Sequence, residues 1–204
     1  MNNIDQLYSE TADNKTSFAK GYLRYLTQLL LQLNCDEIAE FIECLMDARQ
    51  RGARIFFIGN GGSAATASHF ANDIAIGSRS WGQPYRATAF TDNVPVITAI
   101  GNDYGYDDIF LLQLKINATP GDILVAISAS GNSSNLIRAV EYANEHEITT
   151  VGLTGFDGGA LKPLCKVGVH IQTPHGEYGP VEDIHMVLDH LTGAYLLKHS
   201  SSNA

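Results

Sequence analysis

Short apolar runs, each ending in a glycine- or serine-rich turn, constrain this chain more than any other feature. Arg54-Ile55-Phe56-Phe57-Ile58 closes in Gly59-Asn60-Gly61-Gly62. Residues 122–127 close in Ser128-Ala129-Ser130-Gly131-Asn132-Ser133-Ser134, and residues 149–154 in Gly155-Phe156-Asp157-Gly158-Gly159. Runs this short and this continuously apolar read as strands buried on both faces. Residues 167–171 read as a fourth strand and residues 86–90 as a weaker fifth. Helical patterns separate them: residues 63 to about 76, 134 to about 145, and 181 to about 198. The alternation predicts an α/β fold, a parallel sheet with helices on both faces. Ligands on such sheets bind where the strands end.

Before the first strand, Phe18, Tyr22, Tyr25, Leu26, Leu29 and Leu30 recur at helical spacing. After a polar break at Asn34, Asp36 can cap a second helix carrying Ile38, Ala39, Phe41, Ile42, Leu45 and Met46. The sheet does not need these two helices as cover, so their surplus apolar face is expected to pack on another subunit. The 204 residues read as one domain. Residues 1–52 form a helical extension for oligomer packing, 53–199 an α/β core, and 200–204 a tail expected to fray.

Lys and Arg number 13 against 22 Asp and Glu, a formal charge of −9. With no basic cluster, this excludes a protein that tracks nucleic acid. No apolar run approaches a membrane span, and residues 1–20 lack the apolar stretch of a signal peptide. Cys35, Cys44 and Cys165 show no CxxC spacing. They read as small buried residues of a chain kept in a reducing cytoplasm.

Two of the turns offer anion chemistry. In Ser128–Ser133, hydroxyls and free backbone amides would face a helix N-terminus. Gly59-Asn60-Gly61-Gly62-Ser63 would let backbone approach a ligand closely. Neither turn carries the lysine of a Walker loop or a GxGxxG pattern, which disfavours nucleoside triphosphates and dinucleotides. A monophosphate ester fits the size. A serine-rich helix cap and a tight strand–helix turn account for the same residues without a ligand.

His69 and Asp73 are spaced i, i+4 and share a helix face. The last helix carries Glu182, Asp183, His185, Asp189 and His190. Glu182 and His190 fall within about a quarter turn of one face, with His185 and Asp189 as rival members. Two histidines and two carboxylates suit a divalent transition metal such as zinc. A surface His–Asp pair is the plainer alternative, and spacing alone does not bring the two helices together. His175 sits in an exposed loop. Asp103 reads as a cap or turn former, and His146, His170 and His199 as structural or solvent-exposed.

Taken in order, Gly59-Asn60-Gly61-Gly62-Ser63-Ala64-Ala65, His69-Phe70-Ala71, Gly101-Asn102-Asp103, Ser128–Ser133, Leu153-Thr154-Gly155 and Asp157-Gly158-Gly159 resemble the sugar isomerase (SIS) fold, more narrowly its phosphoheptose isomerase branch. The resemblance runs over nearly the whole chain. It implies a three-layer sandwich with a five-stranded parallel sheet and an N-terminal helical extension. It also implies a homotetramer with active sites at subunit interfaces. The implied reaction is conversion of D-sedoheptulose 7-phosphate to D-glycero-D-manno-heptose 7-phosphate. By the same resemblance, phosphate would rest on Ser128, Ala129, Ser130 and Ser133. Asn60, Gly61, Gly62 and Ser63 would line the sugar, and Asp92 and Asn93 would touch substrate. Zn2+ would be held by His69, Asp73, Glu182 and His190, with Asp73 as base and His190 as acid. The chain departs from the family in having Asp73 where a Glu is usual and Glu182 where a Gln is usual. Arg79 is offset from the family's sugar-contacting arginine. Some SIS relatives are regulators that bind a partner protein or a sugar phosphate; the intact His and carboxylate set favours an enzyme here, with isomerisation of another ketose phosphate as the other alternative.

Overall fold

The computed structural model describes residues 1–202; Asn203 and Ala204, the end of the expected tail, lie outside the described residues. The sheet has five strands in the order β2-β1-β3-β4-β5, all parallel. They are β1 (Arg54–Gly59), β2 (Arg86–Ala89), β3 (Ile123–Ser128), β4 (Thr149–Phe156) and β5 (Val167–Gln172). Nine α-helices surround them among the described residues: α1 (Asn3–Thr11), α2 (Lys15–Leu31), α3 (Cys35–Arg51), α4 (Gly62–Asn72), α5 (Val94–Asp103), α6 (Leu111–Asn117), α7 (Ser134–Glu145), α8 (Leu161–Leu164) and α9 (Tyr178–Ser202).

Successive strand side chains point to opposite faces, which divides the core in two. Ile55, Phe57, Ile123, Val125 and Ile127 pack with Phe41 and Leu45 of α3, Phe70 of α4, and Ile184 and Leu188 of α9. Phe56, Ile58, Leu124 and Ala126 pack on the other side with Phe90, Leu114 of α6, and Leu136 and Val140 of α7. Cover on both faces is why these strands are apolar at every position.

Three helices precede β1, where the sequence shows two. α1 buries none of its residues and is held by polar contacts instead. Its Asn3 amide donates to Glu177 Oε1 at 2.6 Å, and Tyr25 Oη donates to Glu177 Oε2 at 2.5 Å. Asn34, rather than Asp36, caps α3: its side chain accepts from the Asp36 amide at 3.0 Å. α2 buries only Leu29, and Leu23 and Leu31 stay exposed. Asp103 is the last residue of α5, and α9 continues through the expected tail to Ser202. Cys44 and Cys165 are half-buried, but Cys35 is exposed, contrary to its reading as a buried small residue: it opens α3 on the solvent side. No helix among the described residues is long and apolar enough to cross a membrane.

Candidate active site

β1 and β3 are neighbours in the sheet, with Gly59 level with Ile127, so the glycine turn and the serine turn emerge side by side. Between them lies a cavity of about 140 Å³ lined by Asn60, Ser63, Ile127, Ser128, Ala129, Ser130, Ser133, Tyr178 and Glu182. Volume alone does not mark the site. A larger hollow, about 220 Å³, opens between α3 and β5, lined in part by Glu37, Glu40, Lys162 and Lys166, away from both turns.

The serine turn is held by its own backbone. Ser128 Oγ accepts from the Gly131 amide at 3.0 Å, and Ser130 Oγ from the Asn132 amide at 3.3 Å. Gly131 has φ +64°, and a Cβ there would overlap the carbonyl of Gly158 in the turn after β4. Ser133 stands at the N-cap of α7 but makes no side-chain capping bond. Its hydroxyl therefore remains available beside the free first amides of that helix. Asn60 is oriented by a reciprocal amide pair with buried Asn135 of α7, 2.9 and 3.0 Å, and accepts from Tyr106 Oη at 2.9 Å. The sequence reading passed over Asn135, Tyr106 and Tyr178. A second amide one residue into a helix that follows a serine turn was the available signal for Asn135.

α4 and α9 pack side by side and run in the same direction. A Cβ on Gly62, the first residue of α4, would strike the Glu182 carboxylate, and one on Gly193 would lie 3.7 Å from Asp73 Cβ. The rings of His69 and His190 meet between these levels, with centroids 5.1 Å apart. Glu182 thus sits beside the serine turn, and His69, Asp73 and His190 gather about two turns further along the seam. Desolvation, then the nearby Asp183 charge, holds the Glu182 carboxyl above the usual carboxylate range. Asp73 opens a single π-helical turn, Asp73–Gly77, a distortion common at functional sites.

The second cluster has four members. His69, Asp73, Asp189 and His190 each offer a ligand atom, all within 4.8 Å of one another. His69 Nε2 lies 3.6 Å from Asp73 Oδ2 and 3.9 Å from Asp189 Oδ2. Glu182, expected as the fourth ligand, is not in this group, and Asp189 stands in its place. Asp189 is 0% exposed, and neither of its oxygens has a hydrogen-bond partner. Burial first, and Asp73's charge second, push its carboxyl up to about 7. An unpaired buried carboxylate costs on the order of several kcal/mol. A divalent cation would remove that cost, and two imidazoles with two carboxylates are a fitting donor set. His190 is exposed, leaving the cluster one open side.

The remaining expected residues have other partners. Asp92 accepts from Ser68 Oγ of α4, and Asn93 caps α5 by accepting from the Val96 amide at 3.3 Å. His175 pairs with Asp157 Oδ2 at 3.2 Å on the surface. His185 is fully buried with neither ring nitrogen bonded, and desolvation pushes its pKa down to about 3.

Comparison with known proteins matches this arrangement. Residues 19–155 match the SIS domain family. The phosphoheptose isomerase of Trichlorobacter lovleyi is 41% identical over 155 residues, 74% of this chain and 79% of that protein. The solved phosphoheptose isomerase of Neisseria gonorrhoeae superposes with a TM-score of 0.78 at 31% identity, covering 87% of this chain and 96% of that one. That of Francisella tularensis gives 0.78 at 26% identity, covering 90% and 98%. The five-stranded α/β sandwich is that of these enzymes, and the chain belongs to the SIS-domain family, in its phosphoheptose isomerase branch.

Proposed function

We propose that this chain isomerises D-sedoheptulose 7-phosphate to D-glycero-D-manno-heptose 7-phosphate, an early step toward an activated heptose. It is a phosphosugar isomerase, like the relatives it resembles over most of its length. One observation carries the reading: an anion-accepting cavity and a His/carboxylate cluster share the α4–α9 seam, as a phosphate and a distant carbonyl require.

Ser128, Ser130 and Ser133 with the first amides of α7 would hold the phosphate through neutral donors, which suits an acidic chain. Asn60, fixed by Asn135, would orient a sugar hydroxyl beside Gly61, Gly62 and Ser63. Asp92 and Asn93 border the far side of α4. Aldose–ketose exchange moves a proton between two adjacent carbons through an enediol. Asp73 takes the proton from carbon and His190 supplies one to oxygen. Zinc, held by His69 and His190 with carboxylate help from Asp73 and from Glu182 or Asp189, would polarise the sugar's oxygens. Asp73 cannot serve as a tight ligand and as the free base at once, so the second carboxylate decides how free it is.

We further propose a homotetramer in the cytoplasm. Exposed apolar residues on α2 and α9 and three cysteines free of disulfides support this. Asp73→Asn and His190→Ala, assayed on sedoheptulose 7-phosphate with zinc present, should each lose at least about 100-fold in turnover. Turnover near wild type in either would overturn its assignment.

A further inference from the structure

We infer that Asp189, rather than Glu182, supplies the second carboxylate of the metal centre, leaving Glu182 to the phosphate-side cavity. The inference rests on the reading that His69, Asp73 and His190 bind a divalent cation.

The helix geometry favours Asp189. It lies seven residues after Glu182 on α9, so both project from nearly the same stripe. The two are separated by about 10 Å of helix rise. α4 fixes which level each one occupies. Glu182 abuts Gly62 at the start of α4, and Asp189 reaches His69 two turns on. A carboxylate level with Gly62 has to stretch along the seam to share an ion with His190. One beside His190 does not. Ligands held at about 2.1 Å around a tetrahedral ion stand about 3.4 Å apart. The four ligand atoms, none more than 4.8 Å from another, need only a small contraction to reach that spacing.

Burial makes the same choice independently. The Asp189 side chain is 0% exposed, has no hydrogen-bond donor on either oxygen, and directs Oδ2 toward His69 Nε2 at 3.9 Å. A carboxylate enclosed in this way and aimed into a set of imidazoles lacks only a cation. Glu182 is not enclosed, since it lines an open cavity with Ser63, Ser128 and Tyr178.

The test uses full-length protein stripped of metal and titrated with Zn2+ against a chromophoric chelator, with Co2+ as the spectroscopic probe. Asp189→Asn should weaken zinc binding by about 100-fold or more and alter the visible Co2+ bands. Glu182→Ala, which leaves no donor atom at that position, should bind zinc within about threefold of wild type, since Glu182 lines the cavity and is not among the four clustered ligand groups. Asp189→Cys should add a thiolate-to-cobalt charge-transfer band, because only a side chain that reaches the ion produces one. That variant keeps the idea testable if Asp189→Asn folds poorly. Wild-type affinity in Asp189→Asn with loss in Glu182→Ala, or no charge-transfer band in a folded Asp189→Cys, overturns the inference. No zinc uptake by wild type would instead bring down the metal reading beneath it.

Discussion

His185 and Asp189 lie one turn apart on α9, both fully buried, and burial drives them in opposite directions. Desolvation lowers the His185 pKa from its ordinary 6.5 to about 3. Between those values the unfolded chain binds a proton that the folded chain refuses, so stability is lost as pH falls. Asp189 is raised from 3.8 to about 7, so without metal it opposes that loss over part of the range. The useful measurement is therefore a difference. Wild type minus His185→Leu should show a stability slope of about 1.4 kcal/mol per pH unit between pH 4 and 6 in denaturant titrations of the metal-free protein. Equal slopes in the two proteins would mean that His185 is protonated inside the fold. Gly131 is the other sensitive residue. Its φ of +64° and the carbonyl of Gly158 leave no room for a methyl group. Gly131→Ala should cost about 1–3 kcal/mol in stability and raise KM for the phosphorylated substrate, because the serine turn must shift.

Among the elements, α1 depends on a polar anchor. Glu177 is buried and accepts from the Asn3 amide and Tyr25 Oη, joining α1 and α2 to the loop before α9. The same contact, after desolvation, pushes the Tyr25 hydroxyl up to about 12. Glu177→Ala removes both acceptors and should speed hydrogen exchange through α1 at a cost of about 1–3 kcal/mol, with β1 and β3 unaffected. Unchanged α1 protection would show that the helix holds by other means. This anchoring also explains what the sequence concealed. Four strands were legible as apolar runs with a local stop, and the edge strand β2, Arg86-Ala87-Thr88-Ala89, only as a weaker signal. α1 was not legible, since it buries nothing and depends on a residue far along the chain. α5 was masked by β-branched Val94, Val96, Ile97 and Thr98, although Asn93 and Pro95 form a readable helix start. The serine and glycine turns were legible for the same local reason as the strands. The partner of His190 was not, because choosing between Glu182 and Asp189 requires the register of α4 against α9, which no single segment encodes.

For the whole molecule, the open side of the His/carboxylate cluster adjoins an uncovered apolar stripe. Val187, Leu191 and Tyr195 recur every four residues along α9 and are 37%, 42% and 49% exposed. His190 lies next to Leu191 in the chain and is itself exposed. A second copy packed on this stripe would cover the apolar face and also shut water away from the sugar's reacting carbons, coupling assembly to activity. Leu191→Glu places a charge in the centre of the stripe without touching the cavity or the strand core. In sedimentation equilibrium it should shift the proposed tetramer to smaller species. Turnover should fall with the same concentration dependence as assembly, while the far-ultraviolet circular dichroism stays that of wild type. An unchanged tetramer would move the interface to α2, where Leu23 and Leu31 are the exposed alternatives. Dissociation with full activity would instead separate assembly from catalysis and make each protomer's site complete by itself.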